Sequence, residues 1–187
     1  MANRNTQGFG LIAAGTLGQT PATSGQGKYK IDAGYGTTIY QNGAVASSAG
    51  YIIDGQTTDA PILGVLNGIF YNAATTLKPT FANFYKTPIT PANSEDIDAF
   101  VFDNPQQQYV VAIDAALAQS GYLETYDMNA SAGSDTTGRS TSTLDHDDTS
   151  ADAASFRLLR SAEDPENDEN AAFRSVVVCI NLIELQS

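Results

Sequence analysis

Hydrophobic and polar residues alternate in short runs along most of the chain. In "KYKIDAGY", which begins at Lys28, the alternation places Tyr29 and Ile31 on one face of a predicted β-strand. Turn residues separate such runs roughly every ten positions, a spacing that is typical of a β-sandwich or a small β-barrel. We therefore predict a mainly β fold. The other strand-like runs are "GYIIDGQ", "APILGVLNGIFYN", "DAFVFDNP", "QQYVVAIDAAL" and "SFRLLRS".

Three dipeptides mark the sharpest turns that the sequence predicts. Asn42-Gly43 and Asn67-Gly68 have the composition of tight hairpin turns. Asn104-Pro105 separates two strand-like runs. One short stretch, "DAALAQ" near Ala115, is consistent with a helix of about one turn.

The beginning of the chain differs from the rest. Residues 1–27 show no lasting periodicity and contain six glycines. A segment of this composition does not form a core of its own. We expect residues 1–27 to be an extended N-terminal arm that orders on another surface, and residues 28–187 to be the β-rich domain. The apolar residues of the arm are Phe9, Leu11, Ile12 and Leu17.

The end of the chain contains its longest apolar run, "FRSVVVCINLIEL". Because this run is almost uninterrupted, it predicts a central strand that is buried on both faces. Its single cysteine, Cys179, is expected to be a buried thiol. A candidate sub-boundary within the β-rich domain lies near residues 118–130.

Charge is distributed unevenly along the 187 residues. Residues 1–90 contain five Lys/Arg and three Asp/Glu, whereas residues 91–187 contain four and eighteen, for a net charge of −12. Long acidic loops are therefore expected in the second half. An acidic surface repels phosphate, so nucleic acid is not an expected partner. No apolar run approaches the roughly 20 residues of a membrane helix, so no membrane association is expected either.

The stretch that most resembles a chemical site is "LDHDDTSAD", residues 144–152. It surrounds His146, the single histidine, with weak candidate ligands for a hard cation: Asp145, Asp147, Asp148 and Asp152. Counting from Asp145, serine and phenylalanine stand where a calcium loop of the EF-hand type needs glycine and glutamate. A zinc site would need more His or Cys ligands. We interpret the stretch as a hydrated loop and assign no metal.

Two further motifs fail on inspection. "GQTPATSGQGK" has Ala22 and Tyr29 where a phosphate-binding loop needs glycine and Ser or Thr. "ASSAG" has Ala46 at the first glycine of a serine nucleophile motif. We therefore expect no catalytic residues and no cofactor, although the sequence leaves open a carboxylate pair of the glycosidase kind.

Several segments occur together in one order: "GFGL", "YKIDAGYGTTIYQNG", "ILGVLNGIFY", "KPTFANFY", "DAFVFDNP", "FRLLRSAEDPEN" and "VVVCIN". This order resembles the capsid decoration, or cement, proteins of tailed bacteriophages, over nearly the whole chain. After Phe-Gly the family carries arginines, whereas this chain has Leu11 to Ala14. The residues that match the family's segments are Phe9, Gly10, Tyr29, Gly34, Tyr35, Gly64, Gly68, Asp103, Pro105, Asp164, Pro165 and Asn181.

The resemblance implies a non-catalytic protein on the outer surface of the phage head that stabilises contacts between major capsid protein subunits. It also implies self-association, as a homotrimer or alternatively as a dimer. We expect the arm to bind the capsid through Phe9, Gly10, Leu11, Ile12 and Leu17. Three alternatives remain at this point: a tail or neck protein, a carbohydrate-binding β module displayed on the virion, and an enzyme with an unrecognised carboxylate site.

Overall fold

The structure, a computed structural model, describes residues 3, 5–18, 25–56, 61–129, 133–147, 155–168, 170–181 and 184. Regular structure in these ranges consists of β-strands and two single-turn 3-10 helices, Ala92–Ser94 and Gln119–Gly121. The strands are β1 (Ile12–Thr16), β2 (Gly27–Ile31), β3 (Ala44–Ser48), β4 (Tyr51–Asp54), β5 (Gly64–Asn72), β6 (Pro79–Ala82), β7 (Ile97–Phe102), β8 (Gln107–Ile113), β9 (Thr125–Tyr126), β10 (Met128–Asn129), β11 (Thr143–Leu144), β12 (Phe156–Ser161) and β13 (Arg174–Ile180).

The strands form two sheets. The first sheet has the order β10-β11-β8-β13-β12-β9, and β1 also pairs with β8. The second sheet has the order β2-β7-β5-β3-β4, and β6 also pairs with β5. Its end strands β2 and β4 lie beside each other, so this sheet, called the barrel sheet below, is nearly closed. The prediction of a mainly β fold with a small barrel is confirmed.

Strand β13 has the environment that its sequence predicts. It lies between β8 and β12 in the first sheet, and all seven of its residues are buried. Val176 and Val178 pack in the core of the first sheet, and Val177 between them is also buried. Cys179 is buried as expected, and burial raises the pKa of its thiol.

The two predicted Asn-Gly turns have different outcomes. Asn42 adopts a positive φ of 65°, and the chain turns there before β3. The prediction of a turn at Asn67-Gly68 is wrong, because β5 runs through both residues. The register against β7 shifts between Leu66 and Gly68, so the dipeptide forms a β-bulge within a continuous strand.

The predicted helix near Ala115 is also wrong. Residues 114–118 contain no helical turn, and the backbone instead follows β8 into a loop. The amide of Asp114 donates to the carbonyl of Leu144, and its carboxylate accepts a hydrogen bond from the amide of His146. These contacts with a distant loop replace the few internal hydrogen bonds that so short a helix would form.

The N-terminal segment, residues 5–18, is extended and lies on the body of its own chain. Strand β1 pairs antiparallel with β8, with Ile12 opposite Val110 and Thr16 opposite Gln107. The side chain of Leu11 is completely buried in the core of the first sheet. The sequence predicts that the arm orders on another surface, whereas Leu11 packs in the core of its own chain.

The two sheets share buried side chains. The core of the first sheet includes Ala44, Ile62 and Val65 from the barrel sheet and its flank. The hydroxyl of Tyr109, on β8, donates to the carbonyl of Phe102, on β7, at 2.9 Å. The strands of the barrel sheet come from residues 27–102, whereas the first sheet takes β1 and every strand after residue 106. The predicted sub-boundary near 118–130 thus falls within the first sheet.

Adjacent residues of the N-terminal segment give a stability test. We expect Leu11→Ala to lower the free energy of unfolding by about 2–5 kcal/mol, because it leaves a cavity in the core. Ile12→Ala, at a side chain that is 42% exposed, should cost about 1 kcal/mol or less. Urea denaturation followed by circular dichroism measures both. Equal, small losses would mean that the segment is not part of the folding unit.

Candidate functional site

Strand β1 lies at an edge of the first sheet. Within the described residues it forms a ladder with β8 and with no other strand. Its register shifts between Ala13 and Gly15, and such irregularities are common on edge strands. The outer edge of β1 is a place where another extended chain can add by backbone hydrogen bonding.

Two aliphatic side chains of this segment are exposed. Ile12 is 42% exposed and Leu17 is 41% exposed, at the beginning of β1 and just after its end. Few large hydrophobic side chains elsewhere in the described chain reach this exposure, and the others are Leu77, Phe81 and Leu123. Ile12 and Leu17 together mark the strand as a candidate contact for a partner.

The backbone before β1 is held very closely by the rest of the molecule. The amide of Gly10 donates to the carbonyl of Ser142, and the amide of Leu11 donates to that of Asn42. A Cβ atom at Gly8 would lie 2.1 Å from the carbonyl oxygen of Thr141. Gly10 has a φ of +71°, which disfavours any other residue. Gly10 of the Phe-Gly motif therefore has a structural role within the chain.

Asn3 fixes the chain further upstream. Its amide nitrogen donates to the carbonyls of Asp168, Ala171 and Ala172, and its side-chain oxygen accepts from the amide of Asp168 at 2.5 Å. The N-terminal segment is thus tied to the acidic turn that precedes β13.

The structure distributes the five predicted capsid-binding residues between two environments. Gly10 and Leu11 are buried within the chain, so a partner does not reach them in this conformation. Phe9 is half-buried, and Ile12 and Leu17 are exposed. Binding of a capsid by the exposed members stays a prediction.

In the described part of the acidic stretch, Leu144 is buried, Asp145 and His146 are half-buried, and Asp147 is exposed. The ring Nδ1 of His146 lies 3.2 Å from a carboxylate oxygen of Asp147, whose side chain is 98% exposed. The amide of Asp147 donates to Asp145, which folds the loop locally. Asp148 and Asp152 lie outside the described residues. Among the described residues, no three His, Cys, Asp or Glu side chains gather into a group that could hold a metal ion.

A buried polar cluster was not predicted from the sequence. The side-chain oxygen of Gln56 accepts hydrogen bonds from the hydroxyls of Ser140 and Ser142, and the Gln56 amide nitrogen donates to Asp54. Burial raises the pKa of Asp54. The cluster connects β4 to the loop whose Ser142 carbonyl accepts a hydrogen bond from the amide of Gly10.

A second surface, on the outside of the barrel sheet, contains an ion triad. Asp98 lies 2.8 Å from the ammonium of Lys28 and 2.6 Å from that of Lys30, and its side chain is only 14% exposed. Burial alone would raise the pKa of Asp98, but the two lysines outweigh it and hold that pKa below its usual value. The triad fixes three charged side chains across the neighbouring strands β2 and β7.

No family model, curated protein or solved structure matches this chain. The described residues also contain no helix with the length and apolar character that a membrane crossing requires.

The acidic loop can be tested directly. We expect the double variant Asp145→Asn, Asp147→Asn to stay within about 0.5 kcal/mol of the parent protein in unfolding free energy, because both side chains interact mainly with water and local amides. Calorimetry and elemental analysis of the purified protein check this. Loss of a stoichiometric cation together with loss of folding would show that the loop is a metal site.

The ion triad predicts a pH dependence. A carboxyl whose pKa is lowered by folding contributes stability above its unfolded pKa of about 3.9 and loses that contribution as the pH falls through the lower folded value. The stability difference between the parent protein and Asp98→Asn should therefore be largest near neutral pH and shrink below about pH 4. It should also shrink in 1 M NaCl, since both lysines are at least half exposed. A difference that is constant with pH would contradict the ion-pair account.

Proposed function

We propose that this chain is a non-catalytic decoration protein that binds the outer surface of a tailed-phage head and stabilises contacts between major capsid protein subunits. The observation that carries the proposal is the edge strand β1, with Ile12 and Leu17 exposed at its ends. The order of sequence segments, which resembles that of phage cement proteins, supports the same function.

The binding mode that suits β1 is strand addition. An extended segment of a coat subunit would pair with the outer edge of β1 and cover Ile12 and Leu17 with its own apolar side chains. Residues 5–18 are already held by contacts with Asn42, Ser142 and β8. Binding would therefore cost less conformational entropy than the docking of a disordered arm.

Charge supports a position on the outside of a crowded shell. The net charge of −12 comes from the second half of the chain, and solvent-exposed carboxylates such as Asp147 contribute to it. Copies placed close together on a capsid would repel one another through these surfaces and stay separate. A positively charged protein would instead attract nucleic acid and cell debris.

Self-association would multiply a weak contact. A homotrimer at three-fold or quasi-three-fold positions would present three β1 edges to neighbouring coat subunits, and a dimer at two-fold positions would present two. Linked sites raise the effective concentration at each remaining site, so the assembly binds more tightly than one copy. Light scattering on the purified protein and a reconstruction of the particle distinguish these states. A monomer bound to one coat subunit would contradict both.

The contact is tested by charge insertion. We expect the double variant Ile12→Lys, Leu17→Lys to weaken binding to purified heads by about tenfold to a hundredfold, because a buried lysine would be desolvated without a partner. Leu77→Lys, at a residue that is 72% exposed next to the barrel sheet, is the matched control and should bind normally. Co-sedimentation with heads that lack the protein measures binding, and circular dichroism confirms folding.

The assignment to the head is tested separately. Mass spectrometry of purified heads and purified tails, from the phage that encodes the chain, should detect it in the head fraction. Detection in tails alone would favour the tail or neck alternative and overturn the proposal.

A further inference from the structure

Aromatic side chains meet on the outer face of the barrel sheet. Phe81 of β6 is 64% exposed and lies opposite Phe70 of β5. Its ring centroid is 6.1 Å from that of Phe100, at an interplanar angle of 35°. Phe100 pairs with Gly68, where an added Cβ would lie 2.8 Å from Phe81. The absence of a side chain at Gly68 therefore makes room for the ring of Phe81.

A groove of about 270 Å³ adjoins this aromatic pair. Phe70 lines the groove and is the strand partner of Phe81, so the groove lies next to the pair. The polar part of the lining includes Lys30, Asn72, Glu95 and Asp96. The lining thus combines two aromatic residues, Phe70 and Tyr71, with amide, ammonium and carboxylate groups.

One wall of the groove is a tight turn. Asn93 and Ser94 both have positive φ angles, 56° and 55°, in the turn that leads to Glu95. The amide of Ala74 donates to the carbonyl of Thr90, which ties this wall to the loop between β5 and β6. The carboxylates of Glu95 and Asp96 therefore lie on a short backbone segment between this turn and strand β7.

The charges of the groove restrict what it can bind. Asp98 is paired with Lys28 and Lys30, and one oxygen of Asp96 accepts a hydrogen bond from Tyr51 at 3.2 Å. Each carboxylate has several acceptor positions, so Glu95 and Asp96 retain acceptor capacity towards the groove. Three carboxylates against two ammonium groups leave this surface negative, which disfavours an anionic ligand.

We propose that this groove and the adjoining Phe81–Phe100 pair bind a neutral glycan. A sugar ring has an apolar C–H face, which suits the negative π face of an aromatic ring, and a rim of hydroxyls that donate to carboxylates and amides. The groove volume lies just below the ~300–1,000 Å³ of sites for drug-sized molecules, so it suits about one or two sugar rings of a longer chain. The inference stands apart from head binding, which involves β1 and the first sheet.

A protein partner fits this surface less well. Stable protein interfaces bury about 800 Å² on each side, and their centres are depleted of charged residues. Here the aromatic pair is bordered by charged side chains that such an interface would have to desolvate. A small ligand with hydroxyl groups can form hydrogen bonds with those charged side chains, so they need not be buried without partners.

The test is a glycan array probed with the full-length labelled chain. The array contains neutral oligosaccharides of glucose, galactose, mannose and rhamnose, together with sialylated, sulfated and phosphorylated ones. We expect binding to neutral members and not to anionic ones. Phe81→Ala and Asp96→Ala should each weaken binding by about tenfold. Leu123→Ala, at an exposed leucine beside the first sheet, should leave it unchanged.

Three results would overturn the inference, provided that circular dichroism shows the variants to be folded. One is the lack of saturable binding to every neutral glycan on the array, confirmed in solution with the free glycan at concentrations up to about 10 mM. Another is binding that survives both Phe81→Ala and Asp96→Ala. The third is a change of oligomeric mass or head binding in Phe81→Ala without any change in glycan binding, which would identify a protein contact. Co-sedimentation of the same variants with heads separates a failure of glycan binding from a failure of head binding.

Discussion

Strand β8 must satisfy backbone hydrogen-bonding groups on both of its edges, and the first sheet is arranged around that requirement. One edge is covered along its length by β13. The other edge is divided between β1, opposite residues 107–110, and β11, opposite Ile113. Because Tyr109 and Val111 are completely buried, an unpaired edge at this position would expose the core to water. The N-terminal strand is therefore a component of the fold before it is a surface for any partner.

Strand β1 therefore has two roles, in the core and at the surface, and each role limits which of its residues can change. Its inner edge and Leu11 serve the core, whereas Ile12 and Leu17 remain outside. A partner that adds to the outer edge meets a strand that is already held in place. The barrel sheet carries its own exposed features, the aromatic pair and the groove, and shares none of these residues with β1. The two surfaces are separable by mutation.

Local pattern predicted those parts of the structure that depend on local sequence. The alternation around Tyr29 and the unbroken apolar run of β13 both correspond to strands, because burial on one or both faces imposes that periodicity. The hydrophobic pattern gave wrong or no predictions where a segment distant in sequence determines the conformation. Strand β1 is stabilised by β8, about a hundred residues away, so its own composition of glycine and alanine gives no period. The dipeptide at Asn67 alone predicts a turn, but pairing with β7 keeps it within β5 as a bulge.

The candidate surfaces were harder to predict than the fold. The conspicuous acidic stretch around His146 is locally folded where it is described, with Asp147 exposed and Asp145 and His146 half-buried, and its interpretation as a hydrated loop stays a prediction. The aromatic pair combines residues from separate strands, and the polar contacts of Gln56 with Ser140 and Ser142 connect segments more than eighty positions apart. Each of these residues is ordinary within its own segment. Only the pairing of strands, which single-sequence periodicity does not specify, brings them together.

The long separation between β1 and β8 has a consequence for synthesis on the ribosome. Ile12 emerges before Val110, its ladder partner, so at about 5–20 residues per second the nascent strand waits several seconds for β8. During that time an extended apolar segment is at risk of pairing with other chains. Glycines at positions 8, 10, 15 and 18 lower that risk, since glycine-rich segments form intermolecular β-structure poorly. The same glycine-rich composition that gives β1 no recognisable periodicity thus also lowers the tendency of the nascent chain to aggregate.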